Sequence, residues 1–429
     1  MDQFLDKLRK GFTSTFWVAN ILELFERFAF YGSKAVLTVY LANKVGLAED
    51  AGKLSGWFAS AIFALPIIAG VFVDKFGFRR TLIACFSIFT VGYFLIGMAG
   101  LDFAQPFVDF IGKKAYTISV LLLTAIGGSL IKPCIVGTVA KTSKPDFKSL
   151  GFSIYYTLVN IGGAVGPLIA LQVRENLGIE YVLVMSSLTS FLLLIGAFIF
   201  FKEPGADSKH IETRSFTAVF TDMLMVFKNI KFISFLVIFS GFWIMFWQIF
   251  YSFPFYVTDV LKYSKFEVLE TVDAWTIIFI SVPITALVKR WSPIIAMAIG
   301  FGVASACWFI IGLVPTIAAA IIAVALFALG EATQSPRFYE YVSALAPKDQ
   351  VGTFMGFAFL PVAIGALSAG YLADWLRANY LHPVAGGTPD QIFYDPTMWY
   401  IVGGIGVAST ILMLVYNAIF TKKLQPQTA

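Results

Sequence analysis

The sequence predicts an all-α membrane protein of twelve transmembrane helices in two pseudo-symmetric six-helix halves. Three observations carry this. Hydrophobic residues make up 58% of the chain and charged residues 13%, with a mean hydropathy of +0.80; a soluble domain is nearer about a quarter charged. Twelve apolar segments reach the roughly 20 residues that a helix needs to cross hydrocarbon. One long polar linker, from Lys202 to Asn229, interrupts the series after the sixth. The halves are therefore 1–202 and 230–429, joined by 203–229.

The first half offers spans near 15–42, 53–73, 81–101, 115–140, 149–173 and 181–201. The second offers 230–257, 268–288, 293–313, 316–345, 350–376 and 397–420. Several exceed the bilayer thickness, which implies tilt or ends that project into water. Pro336 and Pro361 interrupt spans 10 and 11 and are read as kinks of a gate. Glycines 162, 163 and 166 in span 5 allow close helix contact. Most of the 45 phenylalanines are read as lipid-facing or gap-filling.

Basic residues set the orientation. Nineteen of the 31 Lys and Arg lie on the side of the chain termini, eight on the other side, and four inside spans. The positive-inside rule then puts both termini in the cytoplasm, in what is expected to be a bacterial inner membrane. The net charge of +5 thus reflects topology and the lipid bilayer as partner, not nucleic acid. The polar, basic N-terminus does not read as a cleaved leader. Cys85, Cys134 and Cys307 fall within spans as small buried hydrophobes. No metal-ligand spacing, nucleophile–base pair or phosphate loop is visible. That excludes enzyme classes and implies no cofactor. Nothing repeats as a channel's pore ring would.

Charged residues inside spans carry the chemistry. Span 1 holds Glu23-Leu-Phe-Glu26-Arg27 near its middle. Each ionised group there costs about 2.5–3.5 kcal/mol on insertion scales, so three together must face protein or water. Glu23 and Arg27 are spaced i, i+4 and share a helix face. Lys34 follows two turns on, Lys132 lies in mid-span 4, and Arg337 lies in span 10. The remaining acids are Glu331, Glu340 and Asp273. Positive charge gathers in the first half and an acid in the second, an axis suited to a zwitterion. Ion pairs that only hold helices together are the bland alternative, but desolvation makes them poor stabilisers.

Several strings resemble known families. Gly70-Val-Phe-Val-Asp74-Lys75-Phe-Gly77-Phe-Arg79-Arg80 resembles the GxxxDxxGxRR loop of the major facilitator superfamily, whose two six-helix halves rock about a central site. The resemblance makes Asp74 and Arg79 gating residues. Gly370-Tyr-Leu-Ala-Asp374, on the outer side, is read as coincidence. Glu23 to Gly32 resembles the ExxERFxxYG motif of the proton-dependent oligopeptide transporters. Gly127-Gly128 with Lys132-Pro133 resembles that family's span 4. Tyr155-Tyr156-Thr-Leu-Val-Asn160-Ile-Gly162 resembles its FYxxINxG. Trp243 and Gln248 resemble its span 7, and Gly330-Glu331, Ser335-Pro336, Glu340-Tyr341 and Ala346-Pro347 its span 10.

The resemblance implies roles. Glu23, Glu26, Arg27 and Lys132 form the proton-coupling set. Arg27, Tyr31, Lys34, Lys132, Asn160, Trp243, Gln248, Glu331 and Ser335 bind substrate. Lys34 stands where the family has arginine, Phe30 where a second tyrosine is frequent, Cys134 where asparagine follows Lys-Pro, and Trp247 where many members carry an acid. Ala274-Trp275 replaces an asparagine–proline pair. The interval from Glu203 to Lys228 is too short for the two extra helices of bacterial members. The expected activity is proton-coupled symport of di- and tripeptides or peptide-like zwitterions by alternating access. A related carrier of another anion, such as nitrate or an organic acid, or an exporter, is the alternative.

Overall fold

The computed structural model describes residues 11–204, 221, 224–346, 351–388 and 391–420. Readings placed on Lys7, Arg9, Lys10, Lys209, Arg214, Pro347, Lys348, Lys422, Lys423 and the middle of the linker lie outside the described residues. The long helices are α1 (Ser14–Val39), α2 (Ala51–Ala64), α3 (Pro66–Phe76), α4 (Phe78–Met98), α5 (Lys113–Thr142), α6 (Lys148–Asn176) and α7 (Glu180–Phe200). They continue with α8 (Ile230–Tyr251), α9 (Phe266–Val288), α10 (Pro293–Leu313), α11 (Ile317–Leu345), α12 (Val351–Phe357), α13 (Leu360–Tyr380) and α14 (Thr397–Phe420).

Among the described residues ten helical segments are long and apolar enough to cross a membrane, and α2 with α3 forms an eleventh, bent by 46°. α1 is 26 residues long but too charged to pass as simply apolar, and the twelve-span reading counts it as the remaining span. Helix starts follow local chemistry. Thr13, Asn229, Ser292 and Thr316 each cap a first turn with a side-chain oxygen, the role these residue types favour. Gly77, at φ +82°, turns the chain between α3 and α4, where a side chain would be strained.

Two details differ from the sequence reading. Pro361 does not kink a helix. The break falls between α12 and α13, and Pro361 sits in the first turn of α13, where its missing N–H costs nothing. Pro336 does lie inside α11. The loop after α13 forms a two-stranded antiparallel hairpin, β1 (Leu381–Pro383) with β2 (Ile392–Tyr394), in the register Leu381 to Tyr394. Its aromatic and β-branched residues suit a pleated strand.

The chain divides into two compact units. The first comprises Met1–Ala48 and Ala61–Val219. In it α1 packs on α6, α7 and α5, while α4 packs on α5 and α7. The α1–α6 seam is close because it is built on glycine. A Cβ on Gly32 would lie 3.0 Å from the Gly166 carbonyl, and one on Gly166 would lie 2.9 Å from the Phe28 carbonyl. Hydroxyls tie the remaining helices: Ser33 to Ser186 at 2.7 Å, Ser187 to the Thr90 carbonyl at 2.6 Å, and Tyr40 to the Ile96 carbonyl at 2.7 Å. Small and hydroxylated residues are what membrane helices use to associate.

The second unit comprises Glu49–Ser60 and Phe220–Ala429. Its centre is aromatic. Phe239 stacks on Phe338 at 4.1 Å, Phe242 on Phe327 at 5.2 Å and Trp308 on Trp399 at 5.1 Å. Trp247, Tyr251 and Tyr256 are buried among these rings. Many other phenylalanines, including Phe279 at 74% exposure, point outward, so gap filling and lipid contact both occur.

Asp374, whose string was read as a chance likeness, has a structural role of its own. It is buried, and its carboxylate accepts from the backbone N–H groups of Gly52 at 2.7 Å and Lys53 at 2.9 Å. These are orphan donors of the first turn of α2, and the positive helix end favours a carboxylate. Gly56 and Gly370 bring the backbones together: a Cβ on Gly370 would lie 2.4 Å from the Gly52 carbonyl. Asp374→Ala is expected to cost about 1–2 kcal/mol, as loss of a helix cap does. A lower melting midpoint of the detergent-purified protein measures this, with Asp374→Asn intermediate. Equal melting of all three forms would contradict the capping role.

Candidate functional site

The first unit holds a buried ion cluster on α1. Glu23, Glu26 and Arg27 are 0%, 1% and 4% exposed. Arg27 grips Glu26 through both Nε and Nη2 at 2.5 Å, on the single oxygen Oε2. It reaches Glu23 Oε1 more loosely, at 3.3 Å. The guanidinium lies 4.8 Å from the Phe30 ring centre and 5.9 Å from that of Tyr31, so aromatic faces replace water around it. Glu23 Oε2 and Glu26 Oε1 are buried with no hydrogen-bond partner. A buried carboxylate oxygen in that state holds its charge at a cost.

Lys132 of α5 belongs to the same cluster, since its charge acts on Glu23, Glu26 and Arg27. Its Nζ lies 4.7 Å from the centre of the Phe63 ring. Two carboxylates, one guanidinium and one ammonium sum to zero. A proton added to either glutamate leaves the cluster with one net positive charge. An anion entering beside it restores neutrality.

Tyr31 and Lys34 lie on the next turns of α1, with Lys34 Nζ 5.5 Å from the Tyr31 ring centre. Asn160, on α6, donates its Nδ2 to the Tyr156 carbonyl one turn back at 2.9 Å. Sequence reasoning missed Tyr155 as a site residue. Its hydroxyl donates to Glu23 Oε1 at 3.4 Å. The signal was present in the string Tyr155-Tyr156, where the family motif has phenylalanine followed by tyrosine.

In the second unit the expected residues divide. Glu331 and Ser335 lie on α11, and Ser335 Oγ accepts from Gln334 Nε2 at 3.2 Å. Trp243 is partly buried, with its ring edge against Phe246 at 5.0 Å. Gln248 is fully buried and engaged at both ends. Its Nε2 donates to the Ala369 carbonyl at 3.0 Å, and its Oε1 accepts from Ser252 at 2.6 Å. This is a brace between α8 and α13, not a group turned toward a ligand. The Arg337 guanidinium pairs with Glu340 and donates to the Trp291 carbonyl. The acids Glu267 and Glu270 are buried on α9 beside Asp273. Only Asp273 was singled out from sequence, although the three recur every three residues and so share a helix face.

The loop between α3 and α4 is held by a residue that sequence reasoning passed over. Glu203, just after α7, accepts from the backbone N–H groups of Phe78 and Arg79, both at 2.8 Å. Arg79 Nη2 donates to the Phe198 carbonyl at 2.6 Å. Asp74, which the resemblance makes a gating residue, is exposed and makes no hydrogen bond or ion pair among the described residues. In this conformation the capping carboxylate of the loop is Glu203.

Comparison with known proteins adds the following. Residues 19–370 match the family model of the Major Facilitator Superfamily. Dipeptide and tripeptide permease B of Aliivibrio fischeri (strain MJ11) is 30% identical over 170 residues, which is 39% of this chain and 32% of the permease. Dipeptide and tripeptide permease A of Cronobacter turicensis is 28% identical over 192 residues, 44% of this chain and 36% of the permease. The matched stretches thus span about a third of those relatives' length. Among solved structures, a POT family transporter in complex with a thioalcohol-conjugated peptide superposes with a TM-score of 0.75 at 16% identity, covering 94% of this chain and 96% of that one. Another in complex with 5-aminolevulinic acid gives the same values. At this identity the structural likeness establishes the fold.

The Gln248 brace is testable without any substrate. Gln248→Leu leaves the Ala369 carbonyl and Ser252 hydroxyl without their buried partner, at about 1–3 kcal/mol. The melting midpoint of the purified protein is expected to fall. An unchanged midpoint would return Gln248 to the ligand-binding set.

Proposed function

We propose that this chain, which belongs to the major facilitator superfamily, is a proton-coupled symporter of di- and tripeptides or peptide-like zwitterions of the oligopeptide transporter kind, a reading supported by the peptide permeases it resembles. The observation that carries the proposal is the neutral cluster of buried Glu23, Glu26 and Arg27 with the half-buried Lys132. A permanently filled ion cluster is a weak stabiliser. One in which a guanidinium bridges two incompletely bonded carboxylates is suited to exchange partners.

The cycle follows from charge conservation. A proton from outside neutralises one glutamate and loosens its hold on Arg27. The freed guanidinium, with Lys132, takes the substrate carboxylate. Loading lets the halves close outside and open inside, as rocking carriers do. The proton then leaves to the cytoplasm, the glutamate recovers Arg27, and the carboxylate is expelled. The net positive charge left by protonation lasts only until the substrate carboxylate arrives, so charge in the membrane is paired again on loading. Asn160 and Glu331 serve the substrate amine in this scheme, with Tyr31, Lys34, Trp243 and Ser335 shaping the site. Asp74, Arg79 and Pro336 serve the change of access. The positive-charge bias favours cytoplasmic termini in a bacterial inner membrane.

A second reading, transport of another anion, is favoured by one feature. The first unit carries Arg27, Lys34 and Lys132 for a carboxylate, whereas the amine side lacks the acid that many family members carry where Trp247 stands. Competition separates the two. Blocking a peptide's carboxylate is expected to abolish competition for uptake, and blocking its amine to reduce it only in part. Equal loss from both indicates ordinary peptide recognition. Loss from the amine alone contradicts the proposed polarity.

Coupling is tested in liposomes under an imposed pH gradient. Glu26→Gln keeps size and hydrogen bonding but removes a titrating group. Gradient-driven accumulation of dipeptide is expected to vanish while exchange persists. Lys132→Ala is expected to abolish accumulation as well. Normal accumulation by Glu26→Gln would remove Glu26 from the mechanism.

A further inference from the structure

The α1–α6 seam sets a register that bears on Tyr155. Gly162 faces Arg27, where an added Cβ would lie 2.3 Å from the arginine Cβ, and Gly166 faces Phe28 and Gly32. Tyr155 lies about two turns before Gly162, and Glu23 about one turn before Arg27. The two therefore meet where the helices run side by side, and the Tyr155 hydroxyl donates to Glu23 Oε1 at 3.4 Å. The motif that this stretch resembles has phenylalanine here, without a hydroxyl. The extra oxygen is thus a property of this chain, aimed at a fully buried carboxylate.

The partners of the two glutamates are unequal. Glu26 has only Arg27: both of its bonds end on Oε2, and Oε1 has no partner. When Arg27 turns away, Glu26 is left with no hydrogen bond among the described residues. Glu23 shares one oxygen between Arg27 Nε at 3.3 Å and Tyr155 at 3.4 Å. When Arg27 leaves, the hydroxyl remains and is free to shorten its contact. Buried carboxylates that keep a donor keep their charge, and those that lose every donor take a proton.

We propose that Tyr155 is a positioning residue of the coupling cluster: its hydroxyl is the standing donor that holds Glu23 as a carboxylate while Arg27 serves the substrate, so that the transported proton is carried on Glu26. The inference rests on the symport reading above. In the loaded state Glu23 is negative, Glu26 carries the new O–H bond, and Arg27 and Lys132 are positive. The net charge of one is balanced by the substrate carboxylate. On release the O–H bond of Glu26 breaks, the proton passes to water inside, the electron pair stays on the Glu26 oxygen, and the restored carboxylate pairs with Arg27 again. Among the described residues, Lys132 of α5 and Cys85 and Tyr93 of α4 act electrostatically with the glutamates, and Tyr31 of α1 acts with Arg27 and Tyr155. From α7 the cluster's helix meets serines: Ser186 bonds to Ser33 and to the Ala29 carbonyl.

Tyr155→Phe keeps the ring and its packing and removes only the donor. Two readouts are taken. The first is gradient-driven uptake of dialanine into liposomes across a range of pH. Without the donor, Glu23 takes protons at higher pH, so half-maximal uptake is expected at a proton concentration about threefold to tenfold lower, the factor that one modest hydrogen bond supplies. The second needs no substrate. The melting midpoint of the purified protein is compared with wild type at each pH. Stabilisation of a carboxylate is present at high pH and lost as pH falls, so the deficit of Tyr155→Phe is expected to shrink in acid. Both effects are expected to vanish when Tyr155→Phe is made in a Glu23→Gln background. Superposition of Tyr155→Phe on wild type in both readouts overturns the proposal, as does a shift that survives Glu23→Gln. If wild type takes up no dialanine, the substrate reading is what fails, and the melting comparison still decides the role of Tyr155.

Discussion

Arg27, held between two buried carboxylates, is the interaction on which the rest of the first unit depends. Ionised groups in a spanning segment are tolerated only when protein surrounds and pairs them. That requirement explains the burial of α1 against α5, α6 and α7 together. It also explains the aromatic rings of Phe30 and Tyr31 beside the guanidinium. The bonding is uneven, tight to Glu26 and loose to Glu23. An arginine equally bonded to both would be a structural clamp. Unequal bonding leaves the cluster with a direction in which it can yield.

The glycines of α6 make that arrangement reachable. With any larger residue at 162, the backbone of α6 could not approach α1 at Arg27, and Tyr155 would stand away from Glu23. The same device recurs in the second unit, where Gly300 and Gly330 bring α10 against α11; a Cβ on Gly330 would lie 2.5 Å from the Gly300 carbonyl. Small residues set helix separation in membranes because apolar side chains gain little by leaving lipid for protein. Chemistry on one helix is thereby aligned by absences on its neighbour.

Most of the helical plan was legible in the sequence because spanning helices need a nearly fixed length of apolar residues. The spans at 293–313 and 397–420 coincide with α10 and α14. The ion cluster was legible for the converse reason, since charge inside such a run is costly. What was not legible depends on partners far along the chain. Asp374 looked like a chance string until its carboxylate met the N–H groups of Gly52 and Lys53. Glu203 looked like a linker residue until it capped the loop at Phe78 and Arg79. Gln248 fitted a ligand-binding position, but its amide is closed off by Ala369 and Ser252. Pro361 was misread because a proline that starts a helix and one that kinks it look alike without knowing where the helix begins.

In the symport proposed above, proton handling centres on α1, and the second unit is built in keeping with that. Where many relatives in the family carry an acid on span 7, this chain has Trp247. That ring is buried, stacked on Tyr251 at 5.4 Å. The next residue, Gln248, is a brace, and the aromatic layers of Phe239, Phe242, Phe327 and Phe338 fill the space around α8. A titrating side chain introduced there would stand among the rings of Phe246, Phe250 and Tyr251, and desolvation would favour its neutral form. Arg337 on α11 is already engaged with Glu340 and the Trp291 carbonyl. In the symport proposed above, a chain without an acid at this place on span 7 carries both the proton and the anion it balances on the α1 cluster. Two carboxylates then let one titrate while the other stays charged, and the Tyr155 hydroxyl is the donor that distinguishes them.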